Sequence, residues 1–173
     1  IAGGDEMTGA ARLAARAARQ AGVGLVTVAC SRAAHPIYAL DSPGAVTRIA
    51  DSDAEFADLV GDVRRSAFLI GPGYGRGQRT RSRTLDILRT GKPAVLDADA
   101  LNAIAADTAL QSLLTARASR GLATVLTPHP LEAARLLALP DATRVQANRL
   151  AAAQSLAQRF ECTVLLKGSG SVI

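Results

Sequence analysis

Apolar residues recur along the 173-residue chain in two rhythms. Short runs of strand length occur at Val23 to Ala29, Ala67 to Ile70, Ala94 to Leu96, Ala123 to Leu126 and Thr163 to Leu166. Between most of them, apolar positions return at helical spacing. That spacing predicts helices over Gly9 to Ala21, closed by Gly22, over Ala54 to Arg65, and over Arg81 to Arg89, closed by Gly91. It also predicts helices over Leu101 to Ala106 and over Ala142 to Arg159, while Pro130 suits the first turn of another through "LEAARLL". Strands alternating with helices predict an α/β fold, a mostly parallel sheet with helices on both faces.

No linker, repeat or composition break divides residues 1–173, so one domain is expected, long enough to bury roughly two-thirds of its unfolded surface. "IAGG" reads as the end of a strand running into a glycine loop, and "VLLKGSGSVI" stops as a new strand begins. Unpaired strand edges are costly, so the expectation is a domain truncated at both ends.

Hydrophobic residues at 49% with mean hydropathy +0.17 exclude a disordered chain. A net charge of +5 raises the question of a nucleic-acid partner, but the arginines are scattered on polar faces of alanine-rich helices such as "AARLAARAARQAG". Aromatic content of 3% also leaves little to stack on bases, so no nucleic-acid partner is expected. Cys30 and Cys162 sit in apolar, β-prone runs as small buried hydrophobes without metal-type neighbours. With no signal peptide and no membrane-length apolar stretch, the chain is expected to be cytoplasmic, to lack a metal site and not to contact a membrane.

In an open parallel sheet, ligands bind beyond the carboxyl ends of the strands. Each predicted strand end here carries polar or glycine-rich residues: "GGDEMTGAAR", then "GPGYGRG" at Gly71 to Gly77, then Asp97, Asp99 and Asn102 in "VLDADALN", then His129, then Lys167 with "GSGS". The glycine loop fails the dinucleotide fingerprint because Arg76 stands where the third glycine belongs, and no phosphate-loop motif surrounds Lys92. Asp99 is expected to cap the helix near Leu101, whereas Asp97 ends a buried strand and needs a partner or a ligand. Asn102 would face the same cleft. Pro128 and Pro130 hold His129 rigidly at a strand end, where it serves either as a structural tie or as a ligand contact. Lys167 is either a snorkelling lysine or a phosphate contact.

Taken in order, "TGAARLAARAARQAGVGLVTVA", "GPGYG", "VLDADALN", "LTPHPLEAARLL" and "VLLKGSGSVI" resemble the ADP/ATP-dependent NAD(P)H-hydrate dehydratases, carbohydrate-kinase-like repair enzymes with a three-layer ribokinase-like fold. The resemblance runs over essentially the whole chain. It implies removal of water from the S epimer of hydrated NADH or NADPH (NADHX, NADPHX), with ADP or ATP as co-substrate and Mg2+ as companion ion. The nucleotide would phosphorylate the hydrate's hydroxyl, making a leaving group that the ring nitrogen's lone pair expels. By motif it places Ala10 in the first loop, Gly75 and His129 against the hydrated cofactor, and Lys167, Gly168, Ser169, Gly170 and Ser171 against the nucleotide phosphates. It further implies tetramers and a fused or separate epimerase.

Three departures stand out. Leu131 replaces the glycine usual after "TPHP", and Met7 and Thr8 replace a tyrosine ahead of the first "GA". The family's later "GTGD" loop, with its catalytic aspartate, is expected beyond Ile173, so this segment alone is expected to be inactive. The rival expectations are a ribokinase-like kinase of a vitamin precursor and a non-catalytic nucleotide-binding module.

Overall fold

The structure is a computed structural model that describes residues 1–5, 7–41 and 43–173. Its strands are β1 (Val26–Cys30), β2 (Ala45–Ile49), β3 (Phe68–Ile70), β4 (Ala94–Leu96), β5 (Thr124–Leu126) and β6 (Thr163–Val164). Its helices are α1 (Thr8–Gln20), α2 (His35–Asp41), α3 (Asp53–Gly61), α4 (Gln78–Arg89), α5 (Ala98–Ala105), α6 (Thr108–Ser119), α7 (Pro130–Leu136), α8 (Ala142–Ala147) and α9 (Arg149–Phe160).

Every strand pair is parallel, β1 with β2 and then β3, β4, β5 and β6 in order. Residues 1–3 join the two groups. Ala2 pairs in parallel with Ala29, Gly3 N–H donates to Ala29 O at 2.7 Å, and Ala2 N–H donates to Leu69 O at 2.9 Å. The strand order is therefore β2, β1, residues 1–3, β3, β4, β5, β6. The chain winds first one way and then the other, and right-handed crossovers put the helices of the two halves on opposite faces. Strand alternation agrees: Val26, Val28 and Cys30 pack with Ala11, Ala15 and Tyr38 of α1 and α2, whereas Ala29 joins the larger cluster on the other face. That cluster gathers Phe68, Ile70, Leu96 and Leu126 against Leu101, Ile104, Leu110, Leu156 and Phe160.

The expected α/β architecture with helices on both faces holds, and several boundaries shift. β1 begins at Val26 because Val23 and Leu25 lie exposed. α3 ends at Gly61, where Asp62 turns extended. α4 begins at Gln78 and is not closed by Gly91; Thr90 closes it, with its N–H and Oγ1 both donating to Ile87 O. Residues 142–159 are two helices, because Asn148 leaves helical geometry (φ −152°, ψ 85°) and caps the second by accepting from Ala151 N–H. α2, β2 and α6 have no counterpart among the expected elements. The arginines do not all sit on solvated faces: Arg83 and Arg117 are 0% and 1% exposed.

Candidate active site at the carboxyl edge of the sheet

With all strands parallel, the loops after residues 1–3, β2, β3, β4, β5 and β6 emerge at one rim. Close backbone packing binds them. A methyl group on Gly4 would lie 1.6 Å from the Gly73 carbonyl oxygen, and one on Gly71 (φ +122°) 1.7 Å from the Asp97 carbonyl oxygen, so only glycine fits at either crossing. The loops after residues 1–3 and after β3, with Arg79, enclose a cavity of about 280 Å3, lined by Gly4, Asp5, Met7, Tyr74, Gly75 and Arg76 among others. A second cleft of about 440 Å3 lies beyond Arg76 and is lined by Asp99, Asn102, Arg81 and Arg135.

After β4 the sequence expectation about capping is reversed. Asp97, extended at φ −136° and ψ 167°, is the N-cap of α5 and accepts from Ala98 N–H at 2.8 Å. Asp99, in the first turn of α5, accepts Gly75 N–H at 2.9 Å instead. Ala98 between them has φ +44°, a left-handed conformation that costs a non-glycine residue about 1 kcal/mol or more. This strained link turns both carboxylates toward the rim. Asn102 lines the second cleft together with Asp99 rather than Asp97, and its Oδ1 accepts from Arg135 at 2.6 Å.

Lys167 Nζ donates to Asp97 Oδ1 at 2.5 Å, and Lys167 N–H donates to Pro128 O at 2.8 Å. The ammonium is thus bound beside the β4 loop while its backbone is tied to the residue before His129. The following glycine-serine loop, Gly168 to Ser171, is held by Arg149, whose guanidinium donates to the carbonyls of Leu166, Lys167 and Gly170 at 3.1–3.3 Å. Arg149 was missed in the sequence because its helix pattern gave no sign of the break at Asn148 that brings it to the rim.

His129 caps α7. Its Nδ1 accepts from Leu131 and Glu132 N–H, and Glu132 returns the bond by accepting His129 N–H at 2.9 Å. Nε2 lies 2.9 Å from Glu132 Oε1, so these partners require the tautomer with its proton on Nε2. Both ring nitrogens are engaged, and the ring stays partly exposed at the rim. Ala10 lies in the first turn of α1 rather than in the loop before it, because the helix already begins at Thr8.

Two tyrosines hold the glycine loops from below. Tyr38 OH donates to Gly4 O at 2.6 Å, and burial pushes its phenol up to about 12. Tyr74 OH accepts from Arg83 at 2.6 Å; burial raises its phenol while the guanidinium draws it back. Burial likewise pushes the Cys30 thiol up to about 11 and Cys162 up to about 12.

A family model described as NAD(P)H-hydrate dehydratase matches residues 1–173. The chain belongs to this family. The ADP-dependent (S)-NAD(P)H-hydrate dehydratase of Neisseria meningitidis is 38% identical over 176 residues, which cover 100% of this chain and 56% of that protein. A bifunctional NAD(P)H-hydrate repair enzyme of Coxiella burnetii is 35% identical over 174 residues, all of this chain and 33% of its own length. The solved ADP/ATP-dependent NAD(P)H-hydrate dehydratase of Bacillus subtilis, co-crystallized with ATP and Mg2+, superposes with a TM-score of 0.75 at 26% identity, over 99% of this chain and 57% of that one. The chain therefore spans from just under a third to just over half of the curated relatives it matches.

As a member of the NAD(P)H-hydrate dehydratase family, the chain brings His129, Asp97 and Lys167 together on neighbouring loops, with Gly75 and Asn102 on either side of Asp99. Ala10 stands apart on α1. Among the described residues no three His, Cys, Asp or Glu side chains gather as a metal cage, and no helix is long and apolar enough to cross a membrane.

Proposed function

We propose that the protein containing this chain dehydrates the S epimer of hydrated NADH or NADPH, with ADP or ATP as co-substrate. The observation that carries this reading is the junction of the Lys167 and His129 loops, where Lys167 reaches Asp97 with its ammonium and Pro128 with its N–H. A site that must hold a hydrated dinucleotide and a phosphoryl donor together needs such a junction. The names of the Neisseria and Bacillus relatives support the same substrate and nucleotides.

In this reading Lys167 and the loop from Gly168 to Ser171 hold the phosphates. Lys167 has three N–H donors and its side chain is 37% exposed, so a phosphate oxygen can share the ammonium with Asp97. Ala10, Gly75 and His129 contact the hydrated cofactor, with Asp97 and Asn102 bordering it. His129 keeps its ring fixed through Glu132, which excludes a freely rotating imidazole from the pocket. The bound nucleotide supplies the phosphoryl group that converts the hydrate's hydroxyl into a leaving group. A magnesium ion accompanying that nucleotide would neutralise phosphate charge beside Lys167 and the loop from Gly168 to Ser171. Residues 1–173 form part of one ribokinase-like domain that works as a homotetramer, and an epimerase, fused or separate, supplies the S epimer.

The test is to incubate the whole protein with hydrated NADH and ADP or ATP. The absorbance of NADH returns, with one phosphate released per turnover. No recovery with either nucleotide rejects the dehydratase reading, and phosphorylation of hydroxymethylpyrimidine or hydroxyethylthiazole instead would establish a vitamin-precursor kinase.

A further inference from the structure

α4 carries Arg79 and Arg83 one helical turn apart, facing three loops of the rim. Arg79 donates to Asp5 Oδ2 and to Ala50 O, both at 3.2 Å. Arg83 donates to Ala50 O at 2.8 Å, to Ser52 O at 3.1 Å and to Asp51 O at 3.2 Å, and its other terminal nitrogen donates to Tyr74 OH at 2.6 Å. The two guanidiniums meet on one buried carbonyl. Arg83 is 0% exposed, lies 4.6 Å over the Phe56 ring, and has as its nearest carboxylate an exposed Asp53 at 3.6 Å.

A leucine could fill this space without desolvating a charge, and replacing buried ionic groups by apolar ones is often neutral or stabilising. What an apolar residue could not do is fix Tyr74. Tyr74 sits between Gly73 and Gly75, and its N–H donates to Gly71 O at 3.1 Å. The Gly75 peptide is then held on both sides, its N–H by Asp99 and its carbonyl by Thr80 Oγ1 at 2.6 Å. Glycine-rich backbone has many alternative conformations, so without such ties the turn would wander.

We infer that Arg83 is a positioning residue which, through the Tyr74 hydroxyl, locks the glycine turn that presents Gly75 to the hydrated cofactor. The inference rests on the proposed substrate for its kinetic consequence and on geometry alone for the lock. Arg79 extends the same clamp to the first loop through Asp5.

The decisive variant in the whole protein is Tyr74→Phe, which keeps the ring and removes only the acceptor; Arg83→Lys is its companion, keeping charge but losing the fork. For Tyr74→Phe, amide exchange across residues 73–76 accelerates about tenfold while β4 and β5 stay at wild-type rates, as expected when one charge-assisted tie to a local turn is lost. KM for the hydrated cofactor rises about tenfold, with kcat and the dissociation constant of ADP within about twofold of wild type. Arg83→Lys moves the same readouts in the same direction. Unchanged exchange in the turn, or exchange raised evenly through the chain, overturns the inference. If the wild-type protein fails to dehydrate the hydrate, the functional reading falls, and the exchange experiment still decides the lock.

Discussion

Both ring nitrogens of His129 serve its own turn, so the rigid histidine read from "TPHP" is a helix cap first. That separates its two duties experimentally. His129→Asn keeps an N-cap acceptor and so holds stability within about 0.5 kcal/mol, while it withdraws the imidazole from the pocket; titration should give weaker binding of the hydrated cofactor with ADP binding unchanged. Lys167→Ala should reverse the bias, weakening ADP about tenfold or more through loss of a charged phosphate contact. Equal losses for both ligands in either variant would contradict the assignment. A second residue-scale expectation concerns alkali. The folded chain holds the Cys30 and Cys162 thiols and the Tyr38 phenol in their neutral forms, at about 11, 12 and 12. An acid whose value is raised on folding stabilises fully below its unfolded value and loses that contribution as pH climbs toward the folded one. The contribution of these three groups should therefore be flat up to about pH 8.5 and fall between about 9 and 12. A melting temperature that declines less steeply over that range in Cys30→Ala identifies the buried thiol as one source.

At the scale of elements, the carboxyl end of α4 is secured by a buried arginine. Arg117 from α6 donates to Leu88 O, Thr90 O and Lys92 O at 3.1, 3.0 and 2.5 Å, and its Nε donates to Thr124 Oγ1 at 2.8 Å. Desolvation lowers its affinity for the proton, yet the carbonyls around it complete the last turn of α4. Arg117→Ala leaves the buried Leu88 carbonyl and the half-buried carbonyls of Thr90 and Lys92 without their donor, so urea unfolding should register a loss of about 3 kcal/mol or more. A loss under about 1 kcal/mol would mean that water replaces the guanidinium. The same arginine explains why α6 was not legible: a core-facing position holds a charge, which blurs the apolar stripe. α2 reverses the usual rule too, since Tyr38 is buried while Ile37 and Leu40 are exposed. β2 reads "AVTRI" and lies at the sheet edge, half-covered, with little apolar contrast. By contrast β3, β4 and β5 were legible because short apolar runs there end in glycine, aspartate or a histidine between prolines. Their shared rim followed from parallel pairing alone. What sequence could not reveal was the inward use of Arg83, Arg117 and Arg149, which depends on carbonyls far away along the chain.

Across the whole molecule, the expected convergence of strand-end loops is the feature on which the site depends, and the ties between Lys167, Asp97 and Pro128 satisfy it. Residues 1–3 are also the only strand joining β1 and β2 to β3, β4, β5 and β6 among the described residues. Across that narrow seam lie a smaller core cluster on α1 and α2 and a larger one that also takes in Ala29 of β1 and Ala50 after β2. Arg79 and Arg83 cross it at the rim, reaching from α4 to Asp5 and Ala50. Denaturant should therefore open the protein like a hinged box, with the two guanidiniums as part of its clasp. In denaturant, a probe in β1 should report an earlier midpoint than one in β5, and an Arg79→Ala, Arg83→Lys double variant should widen the gap. Coincident midpoints in both proteins would mean that the box has no hinge.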